Sequence, residues 1–96
     1  MSIKPGTLDL PDLGSSTQLD REYMVTVFNN ETNTYEEVIT ILMLATNCDS
    51  DEAYMEAWEI DHLGQSTVHL ADRETCESVA GIISKIGIRV EVEKNA

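Results

Sequence analysis

An α+β two-layer sandwich, three antiparallel strands packed against three helices in the order β-α-α-β-α-β, is the fold class the sequence predicts. Three observations carry it. The runs at Tyr23–Phe28 and from Ile88 to Glu93 are rich in β-branched residues, and the second alternates without a fault. Between them lie three stretches with apolar residues at helical spacing. Each of those stretches opens on an oxygen-bearing side chain and closes near an Asn or a Gly.

Taken in order, residues 1–20 hold both prolines (Pro5, Pro11), the run Ser15-Ser16-Thr17 and no aromatic. Neither period survives there, so they read as a disordered arm, leaving 21–96 as the domain. In the first strand Tyr23, Val25 and Val27 share one face. Thr34, with Glu37 three residues on, forms a capping box that starts a helix with Tyr35 in its first turn. Val38, Ile41, Leu42 and Ala45 give that helix its stripe, with Ile39, Met43 and Leu44 widening it.

Asp49 and Glu52 begin a second helix running to about His62. Its apolar residues are Ala53, Tyr54, Ala57, Trp58 and Ile60, and Glu52, Glu56 and Glu59 read as its solvated side. Gly64 stops it, and Ser66 to Leu70 form a short strand. Asp72 caps a third helix carrying Cys76, Val79, Ala80, Ile83 and Ile86, and Gly87 ends it. The last strand follows. A sheet covered by helices on one side is the simplest way to bury these faces.

Ninety-six residues make one domain, long enough to bury roughly 60–70% of the unfolded chain's surface. The net charge is −12, from 18 acids and 6 bases, and no Lys or Arg stands between Arg21 and Arg73. Such a surface repels phosphate backbones, which argues against nucleic acid, and attracts a cation, an amine or a basic partner. No apolar run approaches the roughly 18 residues a membrane span needs, and residues 1–20 lack a basic-then-apolar leader. Cys48 and Cys76 sit in apolar or helical contexts, as reduced thiols do. The expectation is a cytoplasmic monomer without a cofactor.

Catalytic patterns are sparse. There is no phosphate-cradling glycine loop, no HExxH and no glycine-flanked serine. Cys48, His62, His69 and Cys76 contain no CxxC or HxxxH spacing. Two other features stand out. Phe28-Asn29-Asn30-Glu31-Thr32-Asn33-Thr34-Tyr35 crowds amides, hydroxyls and a carboxylate at a strand-to-helix junction. Side chains of this kind close turns on their own backbone, and they equally present oxygens to a donor ligand. Asp61 stands at a helix C-terminus, where the dipole disfavours an anion; either it is solvated there, or its carboxylate has another task.

The loop Asn29-Asn30-Glu31, the segment Ile60-Asp61-His62-Leu63-Gly64-Gln65 and the ending Gly87-Ile88-Arg89-Val90-Glu91-Val92-Glu93-Lys94 together resemble the ClpS adaptor family over residues 22–95. That resemblance implies a binding protein rather than an enzyme. Adaptors of this family capture proteins by a bulky N-terminal residue and deliver them to a ClpA- or ClpC-type AAA+ unfoldase, which feeds the ClpP peptidase. By position it implies that Asn29 and Asp61 hold the substrate's α-ammonium with Asn30 and Glu31 beside them. Tyr35, Val38, Ala57, Ile60 and Ile88 then form the side-chain pocket, and Glu74 faces the N-domain of the unfoldase.

The chain departs from the family pattern at three pocket positions. Asp61 replaces a histidine, and Tyr35 and Ala57 each replace a methionine. A carboxylate is a stronger acceptor for ammonium than imidazole but donates nothing to a substrate carbonyl. On the unfoldase face, Val79 stands where the family has a lysine.

Overall fold

A computed structural model describes residues 21–95; the arm expected over 1–20 lies outside the described residues. The elements are β1 (Tyr23–Phe28), α1 (Tyr35–Thr46), α2 (Ser50–Leu63), β2 (Gln65–Ala71), α3 (Arg73–Ile83), a 3₁₀ turn (Ser84–Ile86) and β3 (Val90–Lys94). The strands form one antiparallel sheet in the order β2-β1-β3, so the sequence-predicted class and order hold.

Hydrophobic periodicity explains the layering. Val25 and Val27 of the central strand are fully buried against Cys76 and Ile83 of α3 and Leu42 of α1 within one core. The second helix lies over β2, α3 lies over β1 and β3, and α1 packs mainly on the other two helices. Fully burying side chains of this size contributes about 1.5–3 kcal/mol each. In β2 the pairing slips between Val25 and Thr26, leaving Val68 as an extra, bulged residue. The bulge changes the phase of the strand, so that Ser66, Val68 and Ala71 are all buried despite their uneven spacing.

Capping follows the sequence closely. Thr34 Oγ1 accepts from the Glu37 amide at 3.1 Å, and Glu37 Oε1 accepts from the Thr34 amide at 3.0 Å. Asp49 Oδ1 accepts from the Glu52 amide at 2.8 Å. Asn47 closes α1 with φ 62°, a left-handed turn that Asn tolerates because its short amide bonds locally, and Gly64 closes α2 with φ 93°. Asp72 precedes α3 but makes no side-chain cap bond.

Four expectations need correction. Tyr54 and Trp58 are exposed, because Ala53, Ala57 and Ile60 take the core-facing side of α2. Met43 and Leu44 likewise face solvent instead of widening the α1 stripe. Glu56 is not on a solvated side; it is half-buried, and its Oε1 is sealed from solvent without a hydrogen-bond partner. The last strand begins at Val90, since Ile88 is drawn into the core just before it.

Candidate functional site

The end of β1 is clamped from both sides. The Phe28 amide donates to the Arg89 carbonyl at 3.0 Å, and the Asn29 amide donates to the Gly64 carbonyl at 2.9 Å. These bonds join the mouth of the polar loop to the end of α2 and to the segment before β3. Three parts of the chain distant in sequence therefore meet at one place.

The loop that follows is tied to itself. Asn30 Oδ1 accepts from the amides of Thr32 (3.2 Å) and Asn33 (3.1 Å), and Asn30 Nδ2 donates to Asn33 Oδ1 at 2.8 Å. Asn33 Nδ2 donates to the Ile86 carbonyl at 2.9 Å and to Glu37 Oε1 at 3.0 Å. The Asn33 and Thr34 bonds hold the Glu37 carboxyl below its usual range. Asn29 is exposed at the start of this network, and its side-chain amide bonds no other described residue.

Beneath the loop lies a cavity of about 40 Å³, measured over the positions open to the centre of a water. Val38, Ala57, Ile60 and Ile88, all buried, form its apolar wall. Asn29, Asn30, Tyr35 and Asp61 also line it. A water needs about 10–15 Å³ in this measure, so the cavity holds a few waters and no aromatic ring. The Tyr35 hydroxyl donates to Asp61 Oδ2 at 3.0 Å, joining the first turn of α1 to the last turn of α2. Desolvation, then the Asp61 carboxylate, push the phenol above its ordinary pKa.

The structure thus brings eight of the sequence-predicted residues to one cavity, and leaves two outside it. Glu31 is exposed on the loop and contributes charge without lining the cavity. Glu74 is exposed in the first turn of α3, away from this site. Asn33 and Thr34 line the cavity as well, beyond the sequence-predicted set. Thr34 was legible as a cap, but the reach of Asn33 to Ile86 spans 53 positions and has no local signature.

The local charge is negative. Asp61 is half-exposed, with His62 Nδ1 3.6 Å from its Oδ2. Arg89, next to Ile88, is engaged elsewhere: its guanidinium sits 4.3 Å from the centre of the Phe28 ring and bonds Glu91. A small apolar recess rimmed by an exposed amide and a carboxylate suits one compact cation attached to a hydrocarbon group.

The cysteines and histidines do not meet here. Cys76 is fully buried, donates to the Ala71 carbonyl at 3.7 Å, and burial pushes its thiol up, away from nucleophilic use. Cys48 neighbours Glu52 and Glu56, their ligand atoms lying within 4.8 Å of one another, with no histidine in the group.

Fold and cavity define a small α+β module with a narrow, partly polar recess at its surface. The chain belongs to the ClpS family: residues 18–90 match the family described as "ATP-dependent Clp protease adaptor protein ClpS". It is similar in fold to Agrobacterium tumefaciens ClpS2 bound to L-phenylalaninamide. That match has a TM-score of 0.74 at 17% identity, over 79% of this chain and 99% of that one.

Sequence relatives are found among much larger proteins. Over 56 residues, 58% of this chain, it is 38% identical to the E3 ubiquitin-protein ligase ubr-1 of Caenorhabditis elegans. Over 75 residues, 78% of this chain, it is 32% identical to the E3 ubiquitin-protein ligase UBR2 of Mus musculus. The chain spans only 3% and 4% of those two proteins. Among the described residues, no helix is long and apolar enough to cross a membrane.

Proposed function

We propose that this protein is a non-enzymatic adaptor that binds polypeptides by a free N-terminal bulky hydrophobic residue. It then delivers them to a ClpA- or ClpC-type unfoldase coupled to ClpP, as a cytoplasmic monomer. The observation that carries the reading is the meeting of Asn29 and Asp61 at the rim of the recess walled by Val38, Ala57, Ile60 and Ile88. An α-ammonium has three donors and one charge, and those oxygens are acceptors in a field of negative sign. L-Phenylalaninamide, named with the Agrobacterium protein, carries the same pair of features: a free α-amine and a bulky side chain.

Hydrogen bonds to a charged group contribute about 1.5–3 kcal/mol each, and burying a Leu or Phe side chain a similar amount. After the cost of association, dissociation constants in the micromolar range, about −8 kcal/mol, are expected. Peptides beginning with Leu, Phe, Tyr or Trp, titrated beside their N-acetylated twins, test the reading. Tighter binding of the free amines supports it, and equal binding of both forms removes it.

One observation favours a second reading. The recess is narrow with Tyr35 drawn across it to Asp61, as suits an interaction module that docks on an unfoldase without reading N-termini. Recovery of an unfoldase N-domain by a protein that binds none of the peptides would select this alternative.

A further inference from the structure

The outer side of α2 carries a second apolar feature that the recess does not use. Tyr54, Met55, Trp58 and Leu63 are 52%, 64%, 42% and 67% exposed, and with Glu59 they line a groove of about 310 Å³. Large apolar side chains left together at a surface mark a place where something binds. The groove is held in shape: the His62 ring stacks on Trp58 with centres 4.2 Å apart, and His62 Nδ1 lies 3.0 Å from the Trp58 carbonyl.

One aromatic contact links the groove to the recess. Tyr54 lines the groove, and its ring packs on Tyr35 at 5.9 Å between centres. Tyr35 in turn lines the recess and bonds Asp61. We propose that the groove is a second subsite of the same capture surface, taking a large apolar side chain at the second position of the bound N-terminal peptide. This rests on the reading under Proposed function.

Reach and charge both favour that occupant. With the α-ammonium at Asp61, the second Cα lies about 3.8 Å beyond the first, and Trp58 stands only about 4.5 Å back along the helix axis. A second side chain leaving the rim on the Tyr54 side therefore meets the indole. The charged groups around it, Glu59 and Asp61, are acidic, so a carboxylate at the second position meets repulsion where a leucine or tryptophan meets hydrocarbon.

The test uses the whole chain and ten-residue peptides that differ only at position two: Phe-Leu-, Phe-Trp-, Phe-Ala- and Phe-Asp-, each with an N-acetylated twin. Phe-Leu- and Phe-Trp- should bind about three- to tenfold tighter than Phe-Ala-, the gain of burying one or a few methylene equivalents. In the double variant Trp58→Ala, Leu63→Ala, checked for fold by circular dichroism, that advantage should vanish while the Kd of Phe-Ala- stays within about twofold. Amine-dependent binding with no preference at position two, or a preference that survives the double variant, overturns the subsite and leaves the capture function standing. If acetylation changes nothing for any peptide, both fall. A dimer in sedimentation that the double variant dissolves would make the groove a contact between copies, and would also overturn the proposal.

Discussion

The Tyr35 hydroxyl donates to Asp61 Oδ2 across 3.0 Å, so under the proposed function the phenol competes for an oxygen that the substrate ammonium would use. Both residues line the recess, whose volume of about 40 Å³ is well short of the ~150 Å³ that a benzene-sized guest fills. Entry of a bulky side chain therefore requires the lining to open, and a turn of Tyr35 would break its bond to Asp61. Tyr35→Phe removes the competing donor and keeps the ring. It should bind free-amine peptides a few-fold tighter, consistent with about 1 kcal/mol for one such bond. Calorimetric titration of both proteins with one Phe-initiated peptide checks this, and weaker binding by the variant would show that the hydroxyl serves the ligand instead.

Asp61→Ala acts in the opposite sense. Loss of the carboxylate should weaken free-amine peptides by about 1.5–3 kcal/mol and leave the acetylated twins unchanged. Because Asp61 is half-exposed and tied to no buried partner, thermal stability should barely move. A large fall in Tm with unaltered selectivity would make its role structural.

Asn33 braces the loop to the 3₁₀ turn and to the start of α1 through its side-chain amide. Asn33→Ala removes those bonds together with the acceptor for Asn30, and should cost about 1–3 kcal/mol in denaturant unfolding. Asn30, which lines the recess and is held by Asn33, would lose its fixed setting as well, so peptide affinity should fall too. Asn33→Asp keeps the acceptor for Asn30 but turns an anionic oxygen toward the Ile86 carbonyl and the Glu37 carboxylate, and should lose at least as much as Asn33→Ala at neutral pH.

Glu56 gives the fold a pH dependence. Burial, and after it the neighbouring charges of Glu52 and Glu59, raise its carboxyl from 4.5 to about 8. Between those two values the folded chain keeps a proton that the unfolded chain releases, so stability falls as pH rises through the window. With the group half-exposed, solvent screening reduces the effect to the order of 1–2 kcal/mol. Glu56→Gln carries no charge and can donate to Glu52. It should flatten Tm between pH 5 and about 8.5 and raise it at the alkaline end. A wild-type Tm that climbs across that range would contradict the assignment.

How far the sequence could be read follows from the range of the forces involved. Local signals were faithful: β1 begins and ends at Tyr23 and Phe28 as its residues predict, and Thr34 with Glu37 caps α1. Apolar periodicity was less informative on α2, where two adjacent stripes compete. The small Ala53 and Ala57 let neighbouring elements approach, so they take the inside, and the larger Tyr54 and Trp58 are left outside. The site itself depends on long-range bonds such as Asn29 to Gly64, which no spacing encodes. Its residues are legible through family resemblance, which gives no sign of Asn33, the side chain that holds the loop to the 3₁₀ turn.

The pairing of the Phe28 and Asn29 amides with carbonyls from two other segments has a mechanical consequence. The backbone of Asn29 forms the fixed jaw of a vice, anchored at the end of the sheet. Tyr35, whose hydroxyl reaches Asp61 and whose ring leans on Tyr54, is the facing jaw, set on a helix instead of in the sheet.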